Sequence, residues 1–142
     1  MTRILLLAVF IALAACHTTR PVATRLPDWM TGNFTDDYGI AYTVSDTLFH
    51  QHPSARYHIL EWNTQGQYLL VKNDANNPTE KGLYSRIDYM QFTGMEPYTW
   101  GFCLTVYNAV DTAAARRAPA ANRNEPRKGC GGFPFSRMKA NK

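Results

Sequence analysis

Between residues 33 and 107 the chain repeats one pattern: a short run of β-branched and aromatic residues, a few turn-forming residues, then another such run. The runs cover residues 33–35, 40–45, 47–50, 56–62, 67–72, 82–92 and 98–107. Between them stand Asp36-Asp37-Tyr38-Gly39, His52-Pro53, Asn63-Thr64-Gln65-Gly66, the stretch 73–81 and Thr93-Gly94-Met95-Glu96-Pro97, all rich in residues that favour turns. None of these breaks is long enough to hold the crossover helix that parallel strands require. The pattern predicts an all-β domain, a small antiparallel β-barrel or barrel-like sheet of about 6–8 strands. Only residues 111–117 read as a short helix, with Asp111 at its start. A basic C-terminal tail follows.

Strand side chains alternate between two faces, so the runs sort their residues by parity. One face collects Tyr57, Ile59, Leu69, Val71, Leu83, Ile87, Tyr89, Trp100, Phe102, Leu104 and Val106, and reads as the core. The other collects Arg56, His58, Leu60, Trp62, Tyr68, Leu70, Lys72, Tyr84, Arg86, Asp88, Thr99, Thr105 and Tyr107. A plain solvent face does not carry Trp62, Tyr68, Leu70 and Tyr84 together. Either the segment 129–135, with its two phenylalanines, docks over that face, or a ligand does. The candidate lining of such a site is Trp62, Tyr68, Tyr84 and Trp100, holding a small apolar or amphipathic ligand, with Arg86 placed to meet an anionic end.

The first residues carry an address. Arg3 precedes an unbroken apolar run from Ile4 to Leu13, the layout of an export signal. The run is too short to span a bilayer, which takes roughly 20 apolar residues. Its ending, Leu13-Ala14-Ala15-Cys16, resembles the lipobox of bacterial lipoproteins. That resemblance implies removal of residues 1–15 and a lipid on Cys16, with a membrane partner through that anchor. Each buried methylene contributes about 0.8 kcal/mol, and two or more chains hold firmly. An ordinary signal peptide cut near Ala15 is the alternative. In Gram-negative lipoproteins an aspartate after the cysteine signals inner-membrane retention, so His17 implies the outer membrane, facing the periplasm. The chain then divides into a leader (1–15), a flexible tether (16–27), a β-barrel-like domain (28–110), and a short helix with a basic tail docked on the barrel (111–142).

With Cys16 lipidated, Cys103 and Cys130 remain, and an exported chain with two thiols predicts one disulfide. It would close a loop of about 28 residues, a contribution of about 3–4 kcal/mol in the chain-entropy picture. Two separate reduced cysteines are the alternative. Charge is divided as sharply. Residues 16–115 hold six Lys/Arg against ten Asp/Glu, whereas residues 116–142 hold eight against one. The basic tail either folds back on the acidic body, stays solvated, or meets an anionic envelope lipid or protein partner. Nucleic acid is not a partner expected of an envelope lipoprotein.

Trp29-x-x-Gly32-x-Phe34, the hairpin from Tyr57 to Val71 and Leu83-Tyr84-Ser85-Arg86 resemble the opening and later hairpins of lipocalin-like barrels, though Gly and Trp stand in the opposite order. The set Asp36-Asp37-Tyr38-Gly39, Tyr57-His58-Ile59, residues 73–78, Trp100-Gly101-Phe102-Cys103 and residues 131–138 resembles a group of small bacterial lipoproteins, a match that implies no activity. His50-x-His52 with His58 is a thin metal-ligand spacing, and Pro53 disturbs its strand. Residues 74–80 place oxygen ligands at alternate positions but lack the glycine and the distant glutamate of a calcium loop. Asp36 and Asp37 are adjacent and so face opposite ways on a strand, a poor acid/base pair. Arg86, Asp88, His58 and Thr105 read as an anion site or as a self-satisfied charge cluster. No catalytic, metal or cofactor motif is present. The reading is a non-catalytic binding module, with a structural or interaction lipoprotein as the alternative.

Overall fold

The computed structural model describes residues 25–141. The leader, Cys16 and residues 17–24 lie outside the described residues. Each run forms a strand: β1 Gly32–Asp36, β2 Ala41–Val44, β3 Leu48–Gln51, β4 Ala55–Asn63, β5 Tyr68–Asn73, β6 Tyr84–Gln91 and β7 Trp100–Ala109. The one α-helix among the described residues, α1, spans Thr112–Arg117. An eighth strand, β8 Ser136–Ala140, comes from the basic tail, so the end of that tail is barrel wall. Its signal in the sequence is faint because only Met138 turns inward, fully buried, between outward Arg137 and Lys139. Met138 lies opposite both Asp36 and Trp100, and through these pairings β8 closes the barrel between β7 and β1. The result is a closed, eight-stranded antiparallel barrel with strands in chain order, consistent with a lipocalin-like barrel. Closure leaves no unpaired sheet edge.

Eight strands enclose a space that side chains can fill, and here they fill it. Phe34, Tyr42, Phe49, Tyr89, Trp100 and Phe102 are all buried inside, with Val44, Leu69, Val71 and Ile87 between them. The rings meet edge to face, the arrangement their quadrupoles favour: centroids are 5.1 Å apart for Phe49 and Phe102 and 5.2 Å for Phe34 and Trp100. A single helical turn, Asp28–Met30, plugs one mouth. Leu26 and Met30 are fully buried there, and Trp29 lies edge-on to Tyr89 and Trp100. The Leu26 amide donates to Asp46 Oδ1 (2.8 Å), so the packed body begins within the stretch read as tether. Near the other mouth Asp36 is buried and accepts from the amides of Tyr38 (2.9 Å) and Ile40 (2.8 Å) and from the Tyr42 hydroxyl (3.0 Å). Burial, with this carboxylate beside it, pushes the Tyr42 phenol far above its ordinary range.

Three register shifts interrupt the ladders, and two of them correct the parity reading. In β4 the register shifts between Ile59 and Glu61, leaving Leu60 as the extra residue, 52% exposed. Trp62 then lies opposite Leu69 and packs against the interior cluster, not on the outer face. In β7, Arg86 pairs with Val106 while Ile87 pairs with Leu104, so Thr105 is extra. Val106 therefore packs outside with Tyr68 and Leu70, not in the core. One inserted residue flips every side chain beyond it.

Candidate functional site

The outer face of β5, β6 and β7 is covered by the chain itself. Residues 111–135 form a strap that begins with α1. Asp111 caps the helix by accepting from the Ala114 amide (2.7 Å), and Arg116 and Arg117 sit in its last turn, where cations complement the helix dipole. Its inward residue, Ala115, is fully buried against Tyr68, Leu70 and Ala109. A residue this small lets the helix lie close on the sheet.

Beneath the strap is a charge cluster centred on Asp88, which is 0% exposed. Arg86 donates to it through both Nε (2.9 Å) and Nη2 (3.0 Å), a bidentate pair. The Thr105 hydroxyl (2.9 Å) and Arg123 Nη2 (2.8 Å) donate to the same carboxylate. The remaining Arg86 nitrogen, Nη1, donates to the carbonyls of Arg116 (3.0 Å) and Ala118 (3.1 Å), which closes the end of α1. The Arg86 guanidinium also lies 4.2 Å from the Tyr68 ring centre. Arg123 donates to the carbonyls of Tyr89 (2.9 Å), Gln67 (2.6 Å) and Gly66 (3.1 Å). Farther along, Cys103 and Cys130 are joined in a disulfide that pins the strap to β7. Gly129 is required at that point: a Cβ there would lie 1.9 Å from the Asn122 carbonyl oxygen.

The residues singled out as ligand-binding candidates thus fall on both sides of the sheet. Tyr68 and Arg86 are buried under the strap, with Tyr84 beside them. Trp62 and Trp100 face the packed interior, and Trp100 is wholly buried. The Trp100 indole nitrogen is the one buried side-chain polar atom without a hydrogen-bond partner among the described residues. Of the suggested quartet, the structure assembles Arg86, Asp88 and Thr105 and leaves His58 apart, bonded to Asp74 at 2.6 Å. That bond holds the Asp74 carboxyl below its usual range.

The other motifs are occupied by local bonds. His50 and His52 stack with ring centres 3.9 Å apart, one facing the Pro53 carbonyl and the other the Thr43 hydroxyl. Desolvation is the main cause of a lowered His50 pKa, with His52 and Arg56 adding to it against the Pro53 carbonyl. In the stretch 74–80, Asp74 accepts from the Asn76 amide (2.8 Å), and Asn77 clamps the Arg56 amide (2.7 Å) and carbonyl (2.9 Å). Among the described residues no group of three or more His, Cys, Asp or Glu is placed to hold a metal ion.

Open space lies instead on the outer wall, beside β8. A groove of about 770 Å3 runs between the β1–β2 turn (Asp37, Tyr38), the β6–β7 connection (Phe92, Met95), the strap (Pro126, Arg127, Pro134, Phe135) and Arg137. Its volume is that of a small-molecule site. Gly101 makes room for Phe92: a Cβ there would meet Phe92 Cζ at 2.7 Å and the Ser136 carbonyl oxygen at 2.9 Å, so the Phe92 ring lies close against the wall. Arg137 donates from its backbone amide (3.1 Å) and from Nε (2.9 Å) to Asp37 and stacks over Tyr98 at 4.7 Å. The Asp37 hydrogen bond raises the Arg137 pKa still further. Arg127 is exposed and enters no ion pair among the described residues. Sequence parity did not point to these residues because eight of the nine lie in turns, the β6–β7 connection and the strap. The one hint was Gly101, a gap in an otherwise bulky strand.

Comparison of the chain with protein-family models, with curated proteins and with solved structures finds no match.

Proposed function

We propose that this chain is a non-catalytic binding module, tethered through lipid on Cys16 to the periplasmic side of a bacterial outer membrane. The lipobox resemblance supports the tether, and the Cys103–Cys130 bond suits an oxidising compartment. The observation that carries the reading is the placement of open space. The barrel interior is filled by its own aromatic side chains, and the Tyr68–Arg86 face is sealed by the strap. Open space is found outside, in a smaller hollow between strap and β7 and in the groove between strap, β8 and the β6–β7 connection, which is apolar over most of its wall. Binding is therefore assigned to the outside of the barrel rather than to its lumen.

The test is mass spectrometry of the full chain purified from a bacterial envelope. The intact mass is expected to show residues 1–15 absent and a diacylglyceryl adduct on Cys16. Native spectra are expected to show a retained small molecule. A bare, uncut chain would remove the tether, and a protein that never retains a ligand would remove the binding role. A second reading, contact with a larger envelope component, draws on Tyr38 (68% exposed), Phe133 (72% exposed) and the exposed Arg127 and Lys128, which enter no ion pair among the described residues. Arg123 belongs to neither reading as a contact residue, because Asp88 and three carbonyls occupy it.

A further inference from the structure

The chemistry of the groove narrows what it would hold. Its lining is mostly apolar: Phe92, Met95 and the buried Phe135, with the exposed Tyr38. Two guanidinium groups, Arg127 and Arg137, line it against a single carboxylate, Asp37. That carboxylate already accepts twice from Arg137. Arg137 donates to it through Nε, and no hydrogen bond among the described residues uses its two terminal nitrogens. Arg127 enters no ion pair among the described residues. The groove therefore holds one net positive charge and several free guanidinium donors beside an apolar trough. Planar forks of this kind match carboxylate and phosphate oxygens. A neutral apolar ligand would leave these donors unanswered, and a small hydrated anion would leave Phe92, Phe135 and Met95 unfilled.

We infer that the groove binds an anionic amphiphile, a carboxylate or phosphate head carried on an apolar chain, with the head on Arg127 and Arg137 and the chain along Phe92 and Phe135. This rests on reading the chain as a binding module. The role that parity assigned to Arg86 falls to these two arginines.

The test uses the full lipidated chain in phosphatidylcholine vesicles, titrated calorimetrically with hexyl phosphate, with neutral hexyl glucoside and with inorganic phosphate. Hexyl phosphate is expected to bind at least roughly tenfold more tightly than either of the others, as one charge-assisted contact can supply. Arg127→Ala, at an exposed position without partners, is expected to weaken hexyl phosphate about tenfold and to leave hexyl glucoside unchanged. Tyr38→Ala is expected to weaken both hexyl compounds. Equal binding of glucoside and phosphate, or indifference to Arg127→Ala, would overturn the inference. No binding of any probe, with a molecule still retained in native spectra, would overturn the inference and leave the binding module standing. Vesicles containing phosphatidylglycerol identify the source. Loss of hexyl phosphate binding there points to a membrane lipid head group, and unchanged binding points to a free amphiphile.

Discussion

At the scale of single residues, Asp88 decides how the strap is held. Its carboxylate is completely buried and is made tolerable only by two guanidinium groups and a hydroxyl. One of those arginines, Arg86, comes from the barrel and also closes α1; the other, Arg123, comes from the strap itself. Asp88 is thus shared between wall and cover. Removing the carboxylate strands a buried Arg86 cation, whose side chain is 8% exposed. Asp88→Asn is expected to lower stability by about 3–5 kcal/mol, measured by urea unfolding. Arg123→Ala, at a side chain 22% exposed, is expected to cost less. An unchanged midpoint for Asp88→Asn would show that the cluster does not hold the fold. The same scale explains the sequence reading at Arg86 and Asp88. Their i, i+2 spacing on one strand made a charge pair legible, whereas Arg123, 35 residues away in a polar stretch, gave no sign of joining it.

At the scale of elements, the strap is the least regular stretch among the described residues and the one held by a covalent link. Between α1 and β8 it has no helix or named strand, only turns and the bridge of Cys130 to Phe133. Cys103 is buried with Ala121 and Phe135, so the disulfide sits in a small apolar cluster of its own. The pair closes a long loop, which restricts the unfolded chain. Replacing both cysteines by serine is expected to lower stability by about 2–4 kcal/mol. Hydrogen exchange is expected to speed up first over residues 119–135, ahead of the barrel strands. Uniform acceleration across β1 to β8 would mean that strap and barrel open as one unit. The pairing itself was readable from cysteine arithmetic. Docking of the tail on the barrel was expected too, but through residues 129–135; that α1 is what covers Tyr68 and Leu70 was not legible, because a chain without periodicity carries no record of the surface it crosses.

For the whole molecule, the interior dictates behaviour in alkali. Burial is the first cause that raises the phenol pKa of Tyr42, Tyr57 and Tyr89. In the unfolded chain these groups ionise from about pH 10, while in the barrel they stay neutral to higher pH. The stability they contribute is complete below pH about 10 and falls as pH rises beyond it, because only the unfolded state releases those protons there. Urea midpoints measured between about pH 8 and 11 are expected to drop at the alkaline end, and Tyr42→Phe is expected to reduce the drop. A flat profile would show that these phenols titrate normally. Over the same scale, alternation and turn spacing by themselves determined an antiparallel all-β chain, most of its strand positions and most of the inward positions of β4–β7, though not those of β1–β3, because burial of one sheet face imposes period two locally. The paired charge at Arg86 and Asp88 was legible for the same local reason. Closure through β8, the inward turn of Trp62, the outward turn of Val106 and the groove beside Arg127 and Arg137 were decided only by tertiary structure. Each depends on a bulge or on contacts between segments far apart in the chain. Such contacts leave no period in the sequence, since a single extra residue, or one buried methionine among basic residues, is enough to set them.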